Sequence, residues 1–95
     1  MEQFQVAHLN IQNVNLIVVF VNADLGLRMP IEQQKVLHAL QSCASAAGLA
    51  GNVVPVWQDS FGRLIFIAPP TQHAFFKSVT FEYLQSSINK TLSCG

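Results

Sequence analysis

Two short segments of this chain are apolar on both sides of an extended backbone, and that property restricts its possible folds more than any other. Leu16-Ile17-Val18-Val19-Phe20-Val21 is an unbroken apolar run in which all but Leu16 and Phe20 are β-branched. As a strand it points Val18 and Phe20 to one face and Ile17, Val19 and Val21 to the other. Leu64-Ile65-Phe66-Ile67-Ala68 repeats the pattern. A sheet built on such strands must be covered on both faces.

The flanking sequence supplies the other elements. Phe4 to Ile11 alternates loosely, as an edge strand does. Gln12-Asn13 shifts the phase of that alternation. It marks either a bulge in one long strand or, in the preferred reading, a tight hairpin turn into the strand Val14 to Asn22. Residues 22–29 form a loop. Pro30 opens a helix with Glu32 in its first turn. Val36, Leu37, Leu40, Cys43, Ala44 and Ala47 make its apolar stripe, and Gly48 is a left-handed cap.

Asn52 to Gln58 is a strand whose Pro55 predicts an edge position or a bulge. A turn at Asp59-Ser60-Phe61-Gly62 joins it to the strand Arg63 to Ala68, which Pro69-Pro70 stops. Thr71 caps a short helical turn reaching Phe76 or Lys77, and Thr80 caps a final helix. In that helix Phe81, Leu84, Ile88 and Leu92 line one face.

The resulting order, ββαββα over residues 1–95, predicts a single α+β domain. Connection rules favour a permuted ferredoxin-like sandwich, with two helices on one face of a four-stranded, mainly antiparallel sheet. That arrangement leaves the second face of the central strands bare. Five or six aliphatic side chains there, at about 1.5 to 3 kcal/mol each, are too many to leave in water. The expected remedy is a homodimer through the open sheet face; the alternative is that residues 22–29 fold over it. Composition agrees, since 51% of the chain is hydrophobic, only 11% is charged, and the formal net charge is zero.

The same balance argues against several partners. Arg28, Lys35, Arg63, Lys77 and Lys90 are scattered, which disfavours nucleic acid and an anionic membrane surface. Phe20 and Phe66 on central strands could stack RNA bases, but their neighbours are aliphatic rather than basic. The start of the chain carries no targeting pattern, so the expected compartment is the cytoplasm, with Cys43 and Cys94 as reduced thiols. Their spacing matches no metal motif, and neither a metal nor another cofactor is expected.

Candidate functional side chains are few. His73, at the start of a helical turn beside a strand end, is the histidine best placed to act as a base or ligand. His8 reads as a strand residue and His38 as part of a solvated helix face. Trp57, Asp59 and Arg63 bracket the second hairpin, where an ion pair and a packed indole are the simplest account. Asn22, Asp24 and Arg28 lie just beyond the carboxyl end of the first central strand, where ligands of α/β sheets gather. The expectation is a non-catalytic homodimeric module that binds a small apolar molecule or serves as an interaction unit. Trp57, His73, Arg63, Asn22, Asp24 and Arg28 are its ligand-binding candidates. The alternative is a small enzyme with a pocket near His73, using Asp59 and Arg63.

Overall fold

The computed structural model describes residues 2–94. The hairpin at Gln12–Asn13 is formed: strand β1 (Glu2–Ile11) turns there into β2 (Val14–Phe20), with Ile11 opposite Val14. Both turn residues have positive φ, 51° and 66°, as a two-residue turn matching strand twist requires. A 3-10 turn (Ala23–Leu27) follows, then helix α1 (Pro30–Ala46) with proline in its first turn. The end of α1 is closed by bonds from Gly48 N–H to Ser45 O and from Leu49 N–H to Ala44 O. Gly48 supplies the left-handed backbone, φ 81°, that this cap needs.

Strand β3 (Asn52–Gln58) runs parallel to β2 and antiparallel to β4 (Leu64–Phe66). Gly51, just before β3, has φ +127°, and a Cβ there would meet the Asn15 carbonyl carbon at 2.7 Å, so only glycine fits. The expected edge position of Asn52–Gln58 is corrected, because β3 has neighbours on both sides. Pro55 is tolerated inside the sheet because its missing N–H faces the β4 side. There Pro55 O accepts from Ile67 N–H, but nothing can be donated in return. That absence, with Pro69-Pro70, explains why β4 has three residues and stops short of Ala68.

After β4 come a 3-10 turn (Pro70–Gln72), α2 (His73–Ser78) and α3 (Phe81–Ser86), the last capped by Thr80 Oγ1 accepting from Tyr83 N–H. The final helix ends well before Ile88 and Leu92. Residues Lys90–Cys94 are instead a fifth strand, β5, antiparallel to the first half of β1. Ser86 and Ser87 both turn their hydroxyls back onto Tyr83 O, which competes with continuing the helix. Asn89 then holds β1 by its side chain: Oδ1 accepts from His8 N–H at 2.9 Å and Nδ2 donates to His8 O at 3.1 Å. The amide acts as one more rung of the ladder, directly before β5 begins.

Among the described residues the sheet therefore has five strands in the order β4-β3-β2-β1-β5, with three α-helices. This corrects the four-stranded, ferredoxin-like expectation with both helices on one face. Because β4 and β5 are opposite edges, the chain between them must cross the sheet, and α2 and α3 carry it across the face that α1 leaves open. On the α1 face, Val6, Ile17, Val19, Val53 and Leu92 pack with Leu40 and Ala44. On the other, Ala7, Leu16, Val18, Val54 and Val56 pack with Phe76 and Leu84. The face assigned to a partner subunit is thus occupied by this chain's own helices.

The two cysteines are joined, α1 to β5, by a Cys43–Cys94 disulfide, which corrects the reduced-thiol expectation. Sequence distance hid the pairing. Only the placement of residue 94 on a strand beneath α1 brings the sulfurs together. Among the described residues, no helix is long and apolar enough to cross a membrane.

Candidate functional site

The carboxyl end of the parallel pair β2/β3 collects most of the polar side chains singled out in the sequence. Asn22, two residues past the end of β2, caps the 3-10 turn, its Oδ1 accepting from Asp24 N–H at 3.0 Å. Leu25 is buried, and its carbonyl accepts from Gln33 Nε2 at 3.0 Å, tying the turn to α1. Arg28 faces Glu32 across 3.6 Å on the helix surface. An exposed pair at that separation contributes under about 1 kcal/mol.

Between this loop, α1 and the edge of β1 lies a cavity of about 340 Å³. Phe4, Val21, Leu25, Val36, Leu40 and Cys94 form its apolar lining, and Asn22, Asp24 and Arg28 stand at it as polar groups. An open hollow on the far side of the same loop is lined by Asp24, Leu27, Trp57, Asp59 and Ile65 among others. Trp57 is buried on an inner strand rather than laid over an edge. It is roofed by Gly26, where a Cβ would come within 3.1 Å of the indole Nε1. A side chain at residue 26 would press on the indole, which would have to give by a few tenths of an ångström.

Asp59 is absorbed by its own turn. Its Oδ1 accepts from Phe61 N–H at 2.9 Å and Arg63 N–H at 2.8 Å, and its Oδ2 from Arg63 Nε at 2.9 Å. The Arg63 N–H holds the carboxyl below the ordinary aspartate range, assisted by the Arg63 guanidinium and the Phe61 N–H, with partial desolvation opposing. Arg63 also lies 5.2 Å from the centre of the Phe61 ring. A depressed carboxyl stabilises the folded state above the unfolded aspartate pKa of about 3.9 and loses that contribution as pH falls through the lower folded value. Asp59→Asn should therefore unfold at a lower temperature than wild type at neutral pH, with the gap closing below about pH 4. Melting curves across that range decide it, and a gap independent of pH would show that the carboxylate charge plays no part.

His73 is not brought to this end. Its Nε2 lies 2.8 Å from Ala68 O, and its ring meets Phe66 edge-on, at the opposite end of β4 from Arg63. It lines neither the cavity nor the open hollow. His8 Nε2 is likewise engaged, 2.9 Å from Ala50 O. His38, read as a solvated helix residue, is exposed but lines a further hollow of about 390 Å³ with Leu37, Val53 and Ile67. The two aromatics weighed as an RNA platform are covered: Phe20 meets Phe81 edge-on at 5.5 Å, and Phe66 stacks on Phe76 at 5.1 Å. Among the described residues, no group of three or more His, Cys, Asp or Glu side chains converges on a metal-sized site.

Phe4, Val36 and Leu40 line the cavity without having been legible as site residues. Each is an ordinary apolar residue, and only the gap left between α1 and the sheet edge separates cavity wall from core.

The fold and site define an α+β domain with a mixed sheet enclosed by helices on both faces and a cavity at the end of its parallel strands. No protein-family model, curated protein or solved structure matches the chain.

Proposed function

We propose that this chain is a non-catalytic module that holds a small, mainly apolar molecule in the cavity beneath residues 22–28. The observation that carries the reading is the cavity itself. Its volume, about 340 Å³, lies in the range that admits small ligands, and an apolar lining with a few polar groups is the usual composition of such sites. The location also fits, since ligands of sheets with parallel strands collect beyond the carboxyl ends. Asn22, Asp24 and Arg28 orient the molecule in this reading, while Trp57, Asp59 and Arg63 stiffen the adjoining hairpin. The disulfide supports an oxidising compartment over the cytoplasm expected from reduced thiols.

The test uses 1-anilinonaphthalene-8-sulfonate, an apolar fluorophore with one anionic group. Trp57, the single tryptophan of the chain, serves as energy donor. Ala39 lies exposed on α1 and lines the cavity, so Ala39→Phe obstructs it without disturbing a buried side chain. The variant is expected to bind the probe at least about tenfold more weakly, equivalent to about 1.4 kcal/mol. Equal affinity in the two proteins would end the reading.

A second reading, self-association, draws support from exposed apolar side chains near the same end. Leu27 and Phe61 are 87% and 82% exposed, and Met29 and Ile31 are also open to solvent. Large apolar groups gathered in this way commonly mark an interaction surface. A homodimer in this reading uses that surface and not a sheet face. A light-scattering mass of 10.5 kDa, that of one chain, at micromolar concentration would exclude it.

A further inference from the structure

We infer that the Cys43–Cys94 disulfide is a redox latch on the cavity, which a dithiol reductant opens by exchange, releasing β5 and unmaking one wall. The inference rests on the reading of that cavity as a ligand site. Cys94 is the last residue of β5 and lines the cavity together with Phe4, whose neighbour across the β1/β5 ladder is Leu92. The wall is therefore built from the paired ends of β1 and β5, and the disulfide fastens it to α1.

The other side of the same disulfide is open. A groove lined by Ala39, Ser42, Ala46, Ala47 and Ser93 runs along it, and both cysteines are only half-buried. Thiol–disulfide exchange needs a thiolate to approach a sulfur in line with the S–S bond. Small side chains on the flank of α1 leave room for that approach, where leucine or lysine would cover the sulfurs.

Once the bond is broken, β5 is held by one ladder, by the Asn89 amide just before it and by Leu92. It is an edge strand of five residues paired with β1 alone, and Leu92 is its one fully buried side chain. Segments with one ladder and few buried side chains open at a small fraction of the global unfolding free energy. The inner strands β2 and β3 have neighbours on both sides and helices on both faces, and they stay closed.

The step balances as follows. One thiolate of the dithiol attacks a sulfur of the pair, the S–S bond breaks, and the other cysteine leaves as a thiolate that takes up a proton. The second thiol of the reductant then attacks the mixed disulfide and frees the first cysteine. The reductant loses two electrons and becomes a cyclic disulfide, while the protein gains two electrons and two protons.

Hydrogen exchange read by mass spectrometry tests this on the whole protein, oxidised and in excess dithiothreitol. On reduction, amides of residues 90–94 and 2–6 should lose at least about tenfold more protection than those of residues 16–20 and 52–58, which exchange only through global unfolding. Cys43→Ser/Cys94→Ser should reproduce that pattern without reductant. Anilinonaphthalene sulfonate should bind the reduced protein at least about tenfold more weakly. Unchanged protection of β5 would overturn the latch. So would equal loss of protection in every strand, which makes the bond a global staple. If the probe fails to bind the oxidised protein, the ligand reading falls while the exchange data still judge the release of β5.

Discussion

The Cys43→Ser/Cys94→Ser double variant is expected to be about 4 kcal/mol less stable than the oxidised protein. The bond closes a loop with a sequence separation of 51 residues. Cross-linking a loop of that length removes chain entropy from the unfolded ensemble worth about 4 kcal/mol at room temperature. Serine is close to cysteine in size, and both positions are half-buried, so the substitution adds little cavity cost to the entropy effect. A domain of this length has a total stability of roughly 5 to 14 kcal/mol. The loss therefore leaves a folded protein, with only β5 locally free. In urea the unfolding midpoint should fall by about 1.3 to 4 M, given the slope of about 1 to 3 kcal/mol/M usual for small domains. An unchanged midpoint, or two titratable thiols in native wild-type protein, would show that the bond does not form.

Phe76→Ala is expected to cost about 3 to 5 kcal/mol, close to the loss of the disulfide. Phe76 is 1% exposed, and its ring lies 5.1 Å from both Phe66 and Phe75. Helix α2 has six residues, too few to be stable alone, so it stays on the sheet through what it buries. Removing the ring takes away the principal anchor of the cover over Val18, Val54 and Val56. The variant should unfold at lower urea and bind an apolar fluorophore on the newly opened face. A loss under about 1 kcal/mol would mean that α2 does not hold that face closed.

These two positions also mark where the sequence ceased to be informative. Near neighbours in the chain were legible. Gln12-Asn13 broke the alternation where β1 turns, Pro30 and Gly48 bounded α1, Thr80 capped α3, and Asp59 organised the second turn through atoms within four residues. The loop of Asn22, Asp24 and Arg28 was legible as a candidate site from its place after a central strand, although the apolar lining of the cavity was not. His73 looked available because its partner is a backbone carbonyl, which leaves no mark in a sequence.

The last third of the chain behaved differently. Phe81, Leu84, Ile88 and Leu92 have a spacing that suits one helix face, and nothing local contradicts it strongly. What decides the outcome is the vacant edge of β1: residues 2–6 have unpaired backbone groups, and Lys90–Cys94 can satisfy them while burying Leu92 opposite Phe4. A ladder of backbone bonds together with a buried leucine outweighs the small propensity differences that separate helix from strand over five residues.

The sequence by itself determined that Leu16 to Val21 must be covered on both faces, because apolar side chains of both parities cannot be left in water. Only the tertiary structure decided what covers them. With β5 on the far edge from β4, the connecting chain has to cross the sheet, and the free face belongs to α2 and α3 instead of a second subunit. That same placement of β5 brings Cys94 under Cys43, so the fold of one edge strand decides both the closure of the core and the disulfide that secures it.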